Sequence, residues 1–77
     1  MKENILVTGG AGFIGSNLSY KLIEDGFNVY ILDNFSTGKR ENVKDFPGTV
    51  IEDSLLDPVE IENILKKNSI DFVFHQA

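Results

Sequence analysis

The 77-residue sequence has no cysteine and no tryptophan, a single histidine and only two prolines. Without cysteine there is no disulfide framework and no thiolate metal site, and the composition fits a reducing compartment. The longest apolar run is the four residues Val29-Tyr30-Ile31-Leu32, far short of what a membrane-spanning helix needs. Met1-Lys2-Glu3-Asn4 leads straight into a short strand, not into the apolar stretch of a signal sequence. The expectations are therefore a cytoplasmic location and no membrane partner. Basic residues are also scarce, with seven Lys and Arg against twelve Asp and Glu and a net charge of −5. They form no stripe, so nucleic acid is not an expected partner, because such binding rests on neutralising phosphates. Repeats, linkers and low-complexity segments are lacking as well. What remains is the composition and length of one small globular domain, a size at which the surface-to-volume ratio makes stability marginal.

Glycine, by contrast, is concentrated. Thr8-Gly9-Gly10-Ala11-Gly12-Phe13-Ile14-Gly15 follows the apolar run Ile5-Leu6-Val7 and opens a helical pattern, as the tight turn between a buried strand and its helix should. Gly9 permits the sharp turn, Gly12 removes a side chain that would hold a pyrophosphate away, and Gly15 lets the helix lie close on its strand. The free N–H groups of the helix's first turn and the positive end of its dipole then make an anion site that uses no basic side chain.

The second apolar run ends in Asp33, eighteen residues beyond Gly15. That is close to the separation of about 20 expected for the carboxylate that binds the adenosine ribose in a dinucleotide fold. Such a carboxylate accepts hydrogen bonds from the ribose hydroxyls and repels a 2′-phosphate. Lys39 and Arg40 act in the opposite sense, since basic residues after the second strand can hold that phosphate. With Asp33 in the ribose position, NAD is the expected cofactor. The polar segment Asn34-Phe35-Ser36-Thr37-Gly38 follows directly and offers short donors and acceptors beside the adenosine end.

The remaining elements follow from pattern. Strands are expected near residues 4 to 8, from Phe27 to Asp33, at Thr49-Val50-Ile51 and from Ile70 to Phe74. The first helix should run from about Gly12 to Asp25, with Ile14, Leu18 and Leu22 on the sheet and Gly26 as its left-handed cap. Asp57 as N-cap, Pro58 in the first turn and Glu60 at capping-box spacing announce a second helix, whose apolar face is Ile61, Ile64 and Leu65. A short helix is also allowed between the second and third strands. Right-handed crossovers then give an α/β fold, a partial Rossmann fold with a parallel sheet in the order 3-2-1-4. Asp53, at the end of the third strand, could accept from an adenine amino group, although a solvated loop acid or a helix cap explains it nearly as well.

Val7 to Leu18, then Leu32-Asp33-Asn34-Phe35-Ser36-Thr37-Gly38, then Asp71-Phe72-Val73-Phe74-His75-Gln76-Ala77 together resemble the start of a nucleotide-sugar epimerase. The wider family is the NAD-dependent epimerases/dehydratases, or extended short-chain dehydrogenases/reductases. Asp-Asn followed by Ser-Thr-Gly resembles the 4-epimerases of UDP-hexoses more than the dTDP-glucose dehydratases. The resemblance implies that Phe13 and Ile14 lie over the pyrophosphate and that Asp33, Asn34, Phe35, Ser36, Thr37 and Gly38 surround the adenosine ribose. It further puts Asp53 and Ser54 beside adenine, and Gln76 and Ala77 near the inner part of NAD. Relatives more often carry isoleucine or leucine where Ser54 stands.

Such enzymes also share a Tyr-x-x-x-Lys pair that moves a proton while NAD takes and returns a hydride at the sugar's C4 carbon. Here Tyr20 is followed four places on by Glu24 and Tyr30 by Asn34, so no catalytic residue is expected in this chain. His75, alone at a strand end, is expected to be structural. The chain is expected to be the NAD-binding first part of a UDP-sugar epimerase, inactive alone and cut just inside a family motif. A short nucleotide-binding module, a split-chain partner and a truncated remnant are the alternatives. The fourth strand, an open edge with Phe72, Val73 and Phe74, is expected to leave the chain weakly stable and prone to pair through that edge.

Overall fold

The computed structural model describes residues 2–36, 38–53 and 57–76. The apolar stretches form four parallel strands: β1 (Asn4–Thr8), β2 (Asn28–Asp33), β3 (Thr49–Glu52) and β4 (Phe72–His75). Their order is β3-β2-β1-β4, as expected of a Rossmann half. β1 and β2 are central and carry no alternation because both of their faces are covered. Leu6, Val7, Ile31 and Leu32 are wholly buried, each worth about 1.5–3 kcal/mol of burial.

The two faces hold separate cores. On one, Ile5, Val7, Val29 and Ile31 pack with Leu22 of helix α1 (Phe13–Glu24) and with Val43 and Phe46, from a 3₁₀ turn (Arg40–Val43) and the loop after it. Tyr20 meets Phe46 edge to face at 5.2 Å. On the other, Leu6 and Leu32 pack against Ile64 of helix α2 (Pro58–Lys67), with Tyr30, Ile51, Leu65 and Ile70 alongside. Neither helix is long and apolar enough to cross a membrane.

The caps follow local chemistry. Gly26, at φ +95°, ends α1 in the left-handed region. Asp57 Oδ1 accepts from the N–H of Val59 at 3.0 Å and of Glu60 at 3.4 Å, and Pro58 occupies the first turn of α2. At the opposite end of the sheet Asn4 ties three segments together. Its Nδ2 donates to the carbonyls of Asn68 at 3.0 Å and Ser69 at 3.1 Å, and its Oδ1 accepts from Asn28 Nδ2 at 3.0 Å.

Several sequence expectations are corrected. Ile14 does not pack on the sheet: it is 69% exposed, and the buried face of α1 is Gly15, Ser16, Ser19 and Leu22. Gly15, Ser19 and Leu22 stand at i, i+4 and i+7 and so share one stripe, from which Ile14 is rotated. Gly12 and Asp25 flank α1 as its caps, β2 begins one residue after Phe27, and β4 is shifted to Phe72–His75. Ile70 and Asp71 instead complete the approach, with the N–H of Asp71 donating to the Asn4 carbonyl at 2.7 Å.

Among the described residues β4 pairs only with β1. Phe72 is 56% exposed, and Val73 and Phe74 are also exposed. Phe72 and Phe74 line a shallow groove with Ile5, Leu22 and Phe27 on the α1 side.

Candidate functional site

The C-terminal edge of the sheet gathers the residues that the sequence singles out. β1 ends at Thr8, and Gly9 (φ +71°) turns the chain while its N–H donates to the Leu32 carbonyl at 2.8 Å. Gly12, extended at φ −73° and ψ 171°, is the N-cap of α1 and contributes no side-chain cap, and no acid stands in the first turn. The positive end of the helix is thus left for an external anion. Phe13 (79% exposed) and Ile14 flank this opening.

The glycines differ in what they make room for. A methyl group on Gly12 would meet nothing nearer than the Gly9 carbonyl oxygen at 3.4 Å. One on Gly15 would strike that carbonyl oxygen and come within 2.9 Å of the Gly10 Cα. The close approach allowed by Gly15 is therefore to the turn, where the sequence suggested the strand. Gly10 has its own requirement, since a Cβ there would lie 2.6 Å from Ile31 Cγ2.

Asp33 is only 6% exposed. Its Oδ2 accepts from the Ala11 N–H at 2.9 Å and its Oδ1 from the Phe35 N–H at 2.7 Å. The carboxylate thus fastens the glycine turn to the loop after β2. Each oxygen has a second lone pair with which to meet a hydroxyl. Phe35 sits at φ +60°, and Asn34 Oδ1 accepts from the Ser36 N–H at 2.9 Å. Gly38 lies against the turn: a Cβ there would be 2.8 Å from that of Ala11 and 2.9 Å from Asp33 Oδ2.

Sequence reasoning missed the other half of this clasp. The buried Ala11 carbonyl accepts from the Lys39 N–H at 3.1 Å and from Asn42 Nδ2 at 2.8 Å. Asn42 carried no signal beyond polarity in a polar loop. The sequence offers Arg40 as a cation able to hold a 2′-phosphate but does not announce its partners. Its Nη2 lies 2.7 Å from Glu52 Oε1 and its guanidinium carbon 4.4 Å from the centre of the Phe35 ring.

Asp53 reaches the same edge, its N–H donating to the Asp33 carbonyl at 3.2 Å. The Glu60 carboxyl is held above its ordinary range, first by a hydrogen bond with Asp53, then by the charge of Asp53, with burial and Asp57 contributing less. On the far side, Thr8 Oγ1 and His75 Nδ1 are hydrogen-bonded at 2.6 Å, and the Gln76 N–H donates to the Thr8 carbonyl at 2.9 Å. Thr37, Ser54 and Ala77, which the resemblance placed around the cofactor, lie outside the described residues. Among the described residues no cluster of His, Asp or Glu could hold a metal ion.

A strand, a glycine turn, an uncapped helix and a carboxylate at the tip of the next strand define a nucleotide-binding sheet of the Rossmann type. Known proteins agree. The model of the NAD dependent epimerase/dehydratase family matches residues 5–77, and the chain belongs to that family. UDP-glucuronic acid decarboxylase 1 of Danio rerio is 39% identical over 80 residues, covering 99% of this chain and 18% of its own length. The UDP-glucose 4-epimerase of Thermotoga maritima, solved with UDP-glucose, superposes with a TM-score of 0.89 at 47% identity, covering 96% of this chain and 24% of that one. The Brucella ovis UDP-glucose 4-epimerase, solved with NAD, has a TM-score of 0.90 at 36% identity and covers 97% and 22%. The chain thus spans about a fifth to a quarter of the length of these relatives.

Proposed function

We propose that residues 1–77 are the first part of an NAD-binding domain and hold the adenosine and pyrophosphate of NAD in a nucleotide-sugar epimerase, with a UDP-hexose as substrate of the whole protein. The start of α1 above Gly12 carries this reading, because its N-cap has no side chain and no acid stands in its first turn. Gly9, Gly12 and Gly15 shape it, and Phe13 and Ile14 flank the pyrophosphate. Asp33, Asn34, Phe35, Ser36, Thr37 and Gly38 meet the adenosine ribose, Asp53 and Ser54 meet adenine, and Gln76 and Ala77 lie toward the inner half of the cofactor. NAD, when bound, supplies a reversible hydride acceptor for the C4 carbon of the sugar. The residues here bind and orient it. The proton is moved by a Tyr-x-x-x-Lys pair that these 77 residues do not contain.

Relatives solved with NAD and with UDP-glucose support this reading. A relative 39% identical is a UDP-glucuronic acid decarboxylase, so the choice of epimerisation rests on Asp33-Asn34 with Ser36-Thr37-Gly38. Calorimetric titration with NAD, paired with an assay of UDP-glucose to UDP-galactose interconversion, tests it. The chain is expected to bind NAD without turnover, and a longer protein carrying it to catalyse. Failure to bind NAD, or epimerisation by the 77 residues alone, overturns the proposal.

The exposed Phe72, Val73 and Phe74 favour a second reading, a nucleotide-binding module whose sheet is completed by another chain through β4. Concentration-dependent sedimentation, and a companion chain supplying the Tyr-x-x-x-Lys pair, distinguish it from the first.

A further inference from the structure

A guanidinium beside the carboxylate that meets an adenosine ribose is the natural partner of a 2′-phosphate. Arg40 stands in that neighbourhood, yet its own chain engages it. Glu52 Oε1 lies 2.7 Å from its Nη2, and the Phe35 ring faces its guanidinium carbon at 4.4 Å. Glu52 is the cross-strand partner of Asp33 on β3. Asp33 in turn holds Phe35 through the 2.7 Å bond to its N–H. The four residues close a ring, Asp33 to Phe35 to Arg40 to Glu52, that begins and ends on one paired position of β2 and β3.

We infer that Glu52, by occupying Arg40, sets the preference for NAD over its 2′-phosphorylated form. The inference rests on the NAD-binding reading above and adds a specificity-determining pair to it. Asp33 alone opposes a 2′-phosphate by charge, but an unpaired Arg40, linked to Asp33 through Phe35 and Glu52, would offset that repulsion with bidentate hydrogen bonds. Both partners of the ion pair are more than half exposed, 67% and 53%, so the pair is weak as a source of stability. Its effect is to keep a tethered carboxylate at hydrogen-bonding distance from the guanidinium. An incoming phosphate has to displace it and release the Phe35 face as well.

The test compares NAD and NADP binding by calorimetry for the protein carrying these residues and for its Glu52→Gln variant, with the fold checked by circular dichroism. The NADP-to-NAD affinity ratio is expected to rise about tenfold in Glu52→Gln. The rise should shrink at high salt and vanish in the double variant Glu52→Gln/Arg40→Gln. Phe35→Leu, which frees the other side of the guanidinium, should shift the ratio in the same direction by less. Structural damage does not strengthen binding of the bulkier ligand, so a gain in NADP affinity itself, with NAD affinity kept, isolates the charge effect. An unchanged ratio in both variants, or an equal gain in the double variant, overturns the inference while NAD binding by the wild type stands. Wild-type protein that binds neither dinucleotide overturns the cofactor reading itself.

Discussion

Asp33 Oδ2 accepts the Ala11 N–H at 2.9 Å, across twenty-two residues of sequence and inside the buried edge of the sheet. The residue that looks from its position like a ligand for ribose is thus also the fastener of the glycine turn. Asp33→Ala would leave the buried Ala11 N–H without its acceptor and is expected to cost about 1–3 kcal/mol or more, since the bond is to a charged group. Asp33→Asn should also be poorly tolerated, because one of its two terminal atoms becomes a donor facing an N–H. Urea denaturation of both variants, read beside NAD binding, checks this. An Asp33→Asn protein as stable as the wild type would show that the clasp contributes little.

Gly12 and Gly15 separate binding from folding. Gly15→Ala drives a methyl group into the Gly9 carbonyl and the Gly10 backbone, neither of which can give way as a side chain can. Overpacking of this kind costs about 1–3 kcal/mol. Gly12→Ala meets only ordinary contact at 3.4 Å and has φ −73°, which alanine adopts freely, so stability should stay within about 0.5 kcal/mol. Its methyl group would stand in the cradle, and NAD affinity should fall by about tenfold or more. Equal losses of stability in the two variants would contradict the distinction.

Much of this was legible because the decisive signals are local. Ile5-Leu6-Val7 before the glycine turn, Gly26 after α1 and Asp57-Pro58 before α2 each declare an element within a few residues, and the dinucleotide-fold pattern then orders the strands. What sequence could not show is which side chain a tertiary neighbour would claim. Ile14, Leu18 and Leu22 are apolar at a spacing of four, which drifts by about 40° per step. Gly15, Ser19 and Leu22, at i, i+4 and i+7, share the inner stripe more closely, and Ile14 lies about 80° round the helix from Leu22. Asn42 on Ala11, Arg40 on Glu52 and Asn4 on Asn68 are pairings between segments that loop closure brings together, and no periodicity announces them.

Asn4 gives the test of that non-local class. Its side chain joins the start of β1 to the α2–β4 turn and to Asn28, far from the nucleotide edge. Asn4→Ala removes all three hydrogen bonds at a partly exposed site and should lower stability by about 1–2 kcal/mol. NAD affinity, measured where both proteins are fully folded, should be unchanged. A loss of affinity with no loss of stability would place Asn4 in the binding machinery instead.

The last expectation concerns acid. Glu60 shares a hydrogen bond with Asp53, and that bond, before the charges of Asp53 and Asp57, raises its pKa above the ordinary value of 4.5. A carboxyl that holds its proton more tightly when folded stabilises the fold at low pH. That contribution is complete below the unfolded pKa and is lost as pH rises through the folded one. Other carboxylates, Asp33 and the Asp57 cap among them, act as acceptors in the folded chain, so total stability need not peak in acid. The difference between wild type and Glu60→Gln isolates the effect, because glutamine keeps a donor for Asp53 without the charge. Melting temperatures of the two proteins should agree in acid and diverge in favour of Glu60→Gln as pH rises above 4.5. Curves that stay parallel from acid to neutral pH would show that the shared proton contributes nothing to folding.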